Sequence, residues 1–288
     1  NREKHCIKYF FEWQPRFKPR SAVNRYCQCD VLREIWEGKL PVCFKLEEDE
    51  VFELQQPDPF YLMVPRLSYF PIVTEKVKHF MRFISQEKSD NEMWLDFNGQ
   101  PLKWHYPIGV LYDLHTQGDM QLPWTITVHF DKFPEEAIIR CPNKDVVESH
   151  FMSSIKEADV LKHRGQVISS MQKKDHNQLW LGLQNDKFDQ FWAVNRRLME
   201  AGPEQEYFRH VPVRLYQEEP PGLLQRLVRA TTDSGARATL AHMLAQIYPS
   251  RTEVRVRTHG IMVPLDTPLQ WMSEHLSYPD NFLHLCIC

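Results

Sequence analysis

The chain of 288 residues is 42% hydrophobic and 25% charged with a formal charge of -3, the balance of a globular protein long enough for two or three domains with separate cores. So nearly neutral a charge argues against a dedicated nucleic-acid binder, which concentrates basic excess on one face, and no run of 18 apolar residues offers a bilayer-spanning helix. Seven cysteines, irregularly spaced and without a CxxC pair, suit free thiols in a reducing compartment, so a cytoplasmic location is expected.

Residues 1 to 29 carry seven Lys or Arg against two Glu, mixed with aromatics and with Pro15 and Pro19. They read as a poorly ordered extension with no secretory signal. From Asp30 the pattern tightens. VLREIWEG is expected to form a short helix capped by Asp30 and ended by Gly38. LPVCFKL (40 to 46) and FYLMVPRLSYF (60 to 70) have the apolar, aromatic-rich look of strands. PIVTEKVKHFMRFISQ (71 to 86) places Pro71 in a helix's first turn and Val73, Val77, Phe80 and Ile84 at helical spacing. EMWLDFNG alternates Met93, Leu95 and Phe97 into an Asn-Gly turn, and WTITVHF (124 to 130) is strongly β. Two strands, one long helix, a strand, a short helix and a final strand predict a ubiquitin-like β-grasp roll rather than a parallel sheet.

The far end repeats that order. VPVRLYQ (211 to 217) and LLQRLVRAT (223 to 231) read as a hairpin around Pro220-Pro221-Gly222, TLAHMLAQIYP (239 to 249) as a helix, and VRVRTHG (254 to 260) and FLHLCIC (282 to 288) as strands. Gly99 precedes Pro107 by the same interval that separates Gly260 from Pro268, and an apolar helix follows each, a modest signal of duplication. Between the copies, HRGQVISSMQKKDHNQLWLGLQND reads as two helical segments with Asp175 capping the second. KFDQFWAVNRRLME, with Asp186 at its cap, collects Phe188, Phe191, Trp192, Val194, Leu198 and Met199 mostly on one face. The fold class is therefore α+β: two ubiquitin-like β-grasp domains flanking a helix-rich domain. Its expected boundaries are an extension over 1–29, a helix and first roll over 30–142, a linker helix and helical domain over 143–207, and a second roll over 208–288.

The linker helix, VESHFMSSIKEADVLKH (147 to 163), carries Val147, Phe151, Ile155 and Ala158 on one stripe. At about 100° per residue, Lys156 lies roughly 145° from the centre of that stripe, which turns its amine to water as a possible attachment point. Most exposed lysines merely solvate a helix face, so the spacing alone does not assign it a role. Cys141, with His150 nearby in sequence, opens a thiol-transfer alternative. His284, Cys286 and Cys288 share one strand face and invite a zinc reading, although residues two apart on a strand stand roughly 6.5 to 7 Å from each other, too far for three ligands on one ion. Arg196-Arg197, Arg226/Arg229 and Arg255/Arg257 suit anionic lipid head groups or simply solvated, aggregation-guarding edges. No glycine-rich phosphate loop, GxSxG elbow or HExxH pair occurs, and ten glycines leave little material for nucleotide-cradling loops, so no cofactor is expected.

Six long stretches carry a resemblance: LPVCF, FYLMVPRLSY, LKWHYPIGVLYDL, FMSSIKEADVLKH, MQKKDHNQLWLGLQNDKFDQFWAVNRRLME and TPLQWMSEHLSYPDNFLHL. From about Val31 to His284 the chain closely resembles the autophagy protein 5 family. The resemblance implies two ubiquitin-like domains around a helix-rich one, and a non-catalytic protein whose Lys156 forms an isopeptide bond with the C-terminal glycine of the ubiquitin-like autophagy protein 12. It further implies that autophagy protein 16 binds non-covalently through a helix, and that the conjugate acts as an E3-like scaffold promoting transfer of autophagy protein 8 to lipid at the phagophore membrane. The conjugating enzymes of both ubiquitin-like systems would be partners, with recruitment to that membrane peripheral. Readings that remain beside it are transfer chemistry on Cys141 and a purely non-covalent adaptor.

Overall fold

The computed structural model describes residues 30–51, 57–85, 92–116, 122–201, 206–217, 222–250 and 253–288. The extension over 1–29 and the turn residues Pro220 and Pro221 lie outside them. A helix over 30–36 (α1) leads into strand β1 (Lys39–Leu46), whose Leu40, Val42, Phe44 and Leu46 are buried by the alternation of a pleated strand. Strand β1 runs antiparallel to β2 (Phe60–Pro65) and parallel to β5 (Trp124–His129). Strands β3 (Trp94–Phe97) and β4 (Gln100–Pro101) complete the order β2-β1-β5-β3-β4. Asn98 and Gly99, both at positive φ, turn β3 into β4 as their dipeptide predicts.

Two expectations need correction in this roll. The second strand stops at Pro65: the next amide, of Arg66, still donates to the Gly38 carbonyl at 3.0 Å, but the Arg66 carbonyl turns away to accept the Gly109 amide at 2.7 Å. The following helix is two pieces, α2 (Phe70–Val73) and α3 (Glu75–Ser85), broken where the Thr74 hydroxyl donates to the Phe70 carbonyl at 2.7 Å. Its buried face is Phe70, Ile72, Val77 and Met81, with Val73 and Phe80 only half-buried. The short helix α4 (Ile108–His115) then closes the core.

The second sheet has the order β7-β6-β10-β8-β9, built from β6 (Val211–Gln217), β7 (Gly222–Val228), β8 (Val256–Thr258), β9 (Ile261–Met262) and β10 (Leu283–Ile287). Again the first strand lies parallel to the last, and helices α9 (Leu240–Ile247) and α10 (Leu269–His275) match α3 and α4 in order. The paired glycines fall on equivalent β-turns and the paired prolines before equivalent short helices, so the repeated interval marks a repeated fold.

Between the rolls stand α5 (Lys144–His163), α6 (Gln166–Ser169), α7 (Lys173–Gln184) and α8 (Phe188–Met199). Both predicted caps move by a few positions. Gln172 caps α7, with Asp175 answering from the third helical position by accepting the Gln172 amide at 3.0 Å. Asp186 adopts a left-handed conformation after α7, leaving Lys187 at the start of α8. Phe188, Phe191, Val194, Leu198 and Met199 are buried as the spacing predicts, with Trp192 half-buried. The helical middle shares one continuous core with the first roll, a core that also takes in Tyr216, Tyr278 and Cys286, while the rest of the second roll has a core of its own.

Candidate functional site

Helix α5 is fixed at both ends before it presents anything. The Asn143 carboxamide oxygen accepts the Asp145 and Val146 amides at 3.0 and 3.3 Å. At the other end Arg164 and Gly165 turn left-handed, and the Gly165 amide returns to the Asp159 carbonyl at 3.2 Å. Val147, Phe151, Ile155 and Ala158 are completely buried, while Lys156 on the opposite side is exposed. The stripe and the outward lysine fall where the 3.6-residue period puts them.

The neighbours of Lys156 are tethered. The carboxylate of Glu157 accepts from Arg214 Nη2 at 3.3 Å and from Gln225 Nε2 at 2.5 Å, and Arg214 Nε donates to Gln225 Oε1 at 3.3 Å, closing a ring of three side chains. Arg214 also reaches Ser154 Oγ at 3.5 Å and Asp280 Oδ2 at 3.2 Å, and its guanidinium lies 3.8 Å from the centre of the Phe282 ring. Burial pushes the Asp280 carboxyl up, but His284 and Arg214 more than offset it, so the group sits below its usual range. Asp159, one turn further on, accepts the Ile168 amide at 2.8 Å. The period-two pattern of β6, which places Arg214 among apolar residues on the side of Pro212 and Tyr216, was the signal for this hub. It was missed because a charge in a strand is ordinarily read as a solvated position.

A second lysine on α5 behaves oppositely. Lys162 is 1% exposed, with Nζ at 3.5 Å from the Leu198 carbonyl, 3.4 Å from Met199 Sδ and 4.7 Å from the centre of the Phe208 ring. Burial pulls its ammonium down to about 7, against weaker support from Glu274, Asp280 and Asp159.

The other candidates are not assembled for chemistry. Burial, with the Glu92 carboxylate beside it, pushes the Cys141 thiol up to about 12, away from the thiolate a nucleophile needs. The zinc reading fails on the geometry of its ligands: His284 is bonded to Tyr216 and Asp280, the Cys286 thiol faces the Val110 carbonyl at 3.7 Å, and Cys288 is exposed. Among the described residues the one metal-type grouping is Glu47, Asp96 and His129. Its atoms are already used: Asp96 is hydrogen-bonded to His129 and to the Gly99 amide, and the imidazole stacks on Trp94 at 3.9 Å. Of the basic pairs, Arg197 is held by Ser170 at 3.1 Å and Asp175 at 3.7 Å, while Arg226, Arg229 and Arg255 are exposed.

Three family models match this chain in order: "Autophagy protein ATG5, UblA domain" over residues 35–130, "alpha-helical bundle region" over 144–201, and "UblB domain" over 210–287. Autophagy protein 5 of Drosophila melanogaster is 55% identical over 260 residues, covering 90% of this chain and 96% of the relative. The chain belongs to the autophagy protein 5 family. Autophagy-related protein 5 of Caenorhabditis elegans is 34% identical, with 90% of this chain and 97% of the relative covered. The crystal structure of Kluyveromyces marxianus Atg5 superposes with a TM-score of 0.77 at 20% identity, covering 90% of this chain and 99% of that one, a likeness of fold. The α+β arrangement of two ubiquitin-like rolls about a helical bundle is thus the fold of an autophagy protein. No described helix is long and apolar enough to cross a membrane.

Proposed function

We propose that this member of the autophagy protein 5 family is a conjugation substrate rather than an enzyme, and that Lys156 accepts the C-terminal glycine of the ubiquitin-like autophagy protein 12. The observation that carries the reading is the exposure of Lys156 on a helix whose opposite stripe is fully buried. In the transfer, the deprotonated Nζ attacks the carbonyl of a thioester on the conjugating enzyme. The C–N bond forms, the C–S bond breaks, and the departing sulfur takes up the proton released by the amine. An outward lysine on a rigid helix supplies free approach at small cost in ordering. The conjugate would bind autophagy protein 16 through a helix of that partner and act as an E3-like scaffold for lipidation of autophagy protein 8 family members. It would work in the cytoplasm and join the phagophore membrane peripherally.

Lys156→Arg keeps charge and length but removes the primary amine, so no adduct should form in a reconstituted reaction while the far-ultraviolet spectrum and melting temperature match the parent. Persistence of the adduct would refute the assignment. Cys141→Ser is expected to leave the rate of transfer unchanged, because that thiol is held protonated at neutral pH.

A further inference from the structure

We infer that Arg214 is a positioning residue for the Lys156 amine, acting through Glu157; the inference rests on the acceptor reading just given. Arg214 belongs to the second roll and Glu157 to the linker helix, so the ring of Arg214, Glu157 and Gln225 fastens the acceptor helix to a domain that otherwise joins its core only through Tyr216, Tyr278 and Cys286. Both Glu157 carboxylate oxygens are occupied, one by each partner. Ser154, on the preceding turn, is held by the same guanidinium, and that guanidinium is anchored from below by the fully buried Asp280. Lys156 therefore lies between two residues of its own helix, Ser154 and Glu157, that one side chain grips.

The fastening matters because the amine stands far from the helix axis. At about 8 Å from the axis, a roll of about 20° displaces the group by roughly 3 Å, and misplacement of a reacting atom by about 1 Å can lower a rate by about a hundredfold. The buried stripe alone resists such a roll only as far as apolar packing allows. A planar guanidinium with donors toward Ser154, Glu157, Gln225 and Asp280 resists it directionally, which an ammonium on a flexible stem does not reproduce.

The test is single-turnover transfer from a conjugating enzyme charged with the ubiquitin-like protein, using the full chain as acceptor over a range of concentrations. Arg214→Gln should lower the saturating rate about tenfold or more while the half-saturating concentration stays within about twofold. Arg214→Lys should recover little of the loss. Gln225→Ala, which leaves the Arg214–Asp280 pair intact, should keep the melting temperature of the parent and lower the saturating rate about two- to fivefold. Amide exchange over residues 153–158 should quicken in each of these variants, a readout independent of conjugation. Parental saturating rates in folded Arg214→Gln or Gln225→Ala protein, or a change confined to the half-saturating concentration, would overturn the inference. An adduct that survives in Lys156→Arg removes the acceptor reading instead, while exchange still reports whether the ring holds the helix.

Discussion

Asp113 and Gly260, one in each ubiquitin-like roll, are joined by a 2.9 Å hydrogen bond in which the Gly260 amide donates to Asp113 Oδ2. The other carboxylate oxygen holds Arg66 Nη2 at 2.5 Å, in a pair that is almost fully buried. Asp113→Asn would leave the Arg66 guanidinium enclosed without its counter-charge. A loss of about 3–5 kcal/mol in unfolding free energy is expected, read from urea denaturation. The double variant Arg66→Met/Asp113→Leu should recover most of it, because replacing both members removes the stranded charge.

Gly182 in α7 meets α8 so closely that an added Cβ would stand 2.8 Å from the backbone and Cβ of Phe191. Alanine favours a helix over glycine by about 1 kcal/mol, but here the clash dominates. Gly182→Ala should destabilise the protein by about 1–3 kcal/mol, as forced overpacking does, and differential scanning calorimetry should show the melting temperature falling rather than rising.

Lys162→Met should stabilise. The folded chain holds this ammonium down at about 7, against 10.5 for an ordinary lysine. Between these values the unfolded chain binds more protons, so wild-type stability climbs as pH rises through the window and is lowest at pH 7 and below. Methionine fills the same space without the penalty. Its advantage should be about 1–4 kcal/mol near neutrality and shrink toward pH 10, checked by urea midpoints at several pH values.

Acid should weaken the fold well above the carboxylate range. Burial holds His105 and His275 down at about 4 and His259 at about 3, so all three stay neutral in the folded chain where an unfolded imidazole, near 6.5, has become charged. The unfolded state then binds more protons, and stability falls as pH drops from 6.5 toward 4, by up to about 1.4 kcal/mol per pH unit for each group. His275→Phe should flatten the urea midpoint profile between pH 6.5 and 4.5; an unchanged slope would count against this account.

Signals confined to neighbouring residues were legible. The alternation through Leu95 and Phe97 and the stripe on α5 follow from a two- or 3.6-residue period, and the Asn98-Gly99 turn follows from a dipeptide that accepts positive φ. Helix starts were less so, because Asp175 and Asp186 are good caps by type but the chain used Gln172 and Lys187, one or three residues away. The junctions between domains were not legible. Arg66, Asp113, Arg214 and Asp280 look like ordinary charged residues in sequence, and only the docking of distant segments turns them into buried partners.

Each sheet has its earliest and latest strands side by side at its centre, β1 with β5 and β6 with β10. On the ribosome neither roll can close until its final strand has emerged. For the second roll that strand is Leu283–Ile287, which also brings the Cys286 thiol to the Val110 carbonyl of the first. A stop codon placed before Leu283 would therefore remove a middle plank rather than a fringe. Such a nascent chain should go to chaperones or degradation as a whole, and not persist as a protein lacking one end.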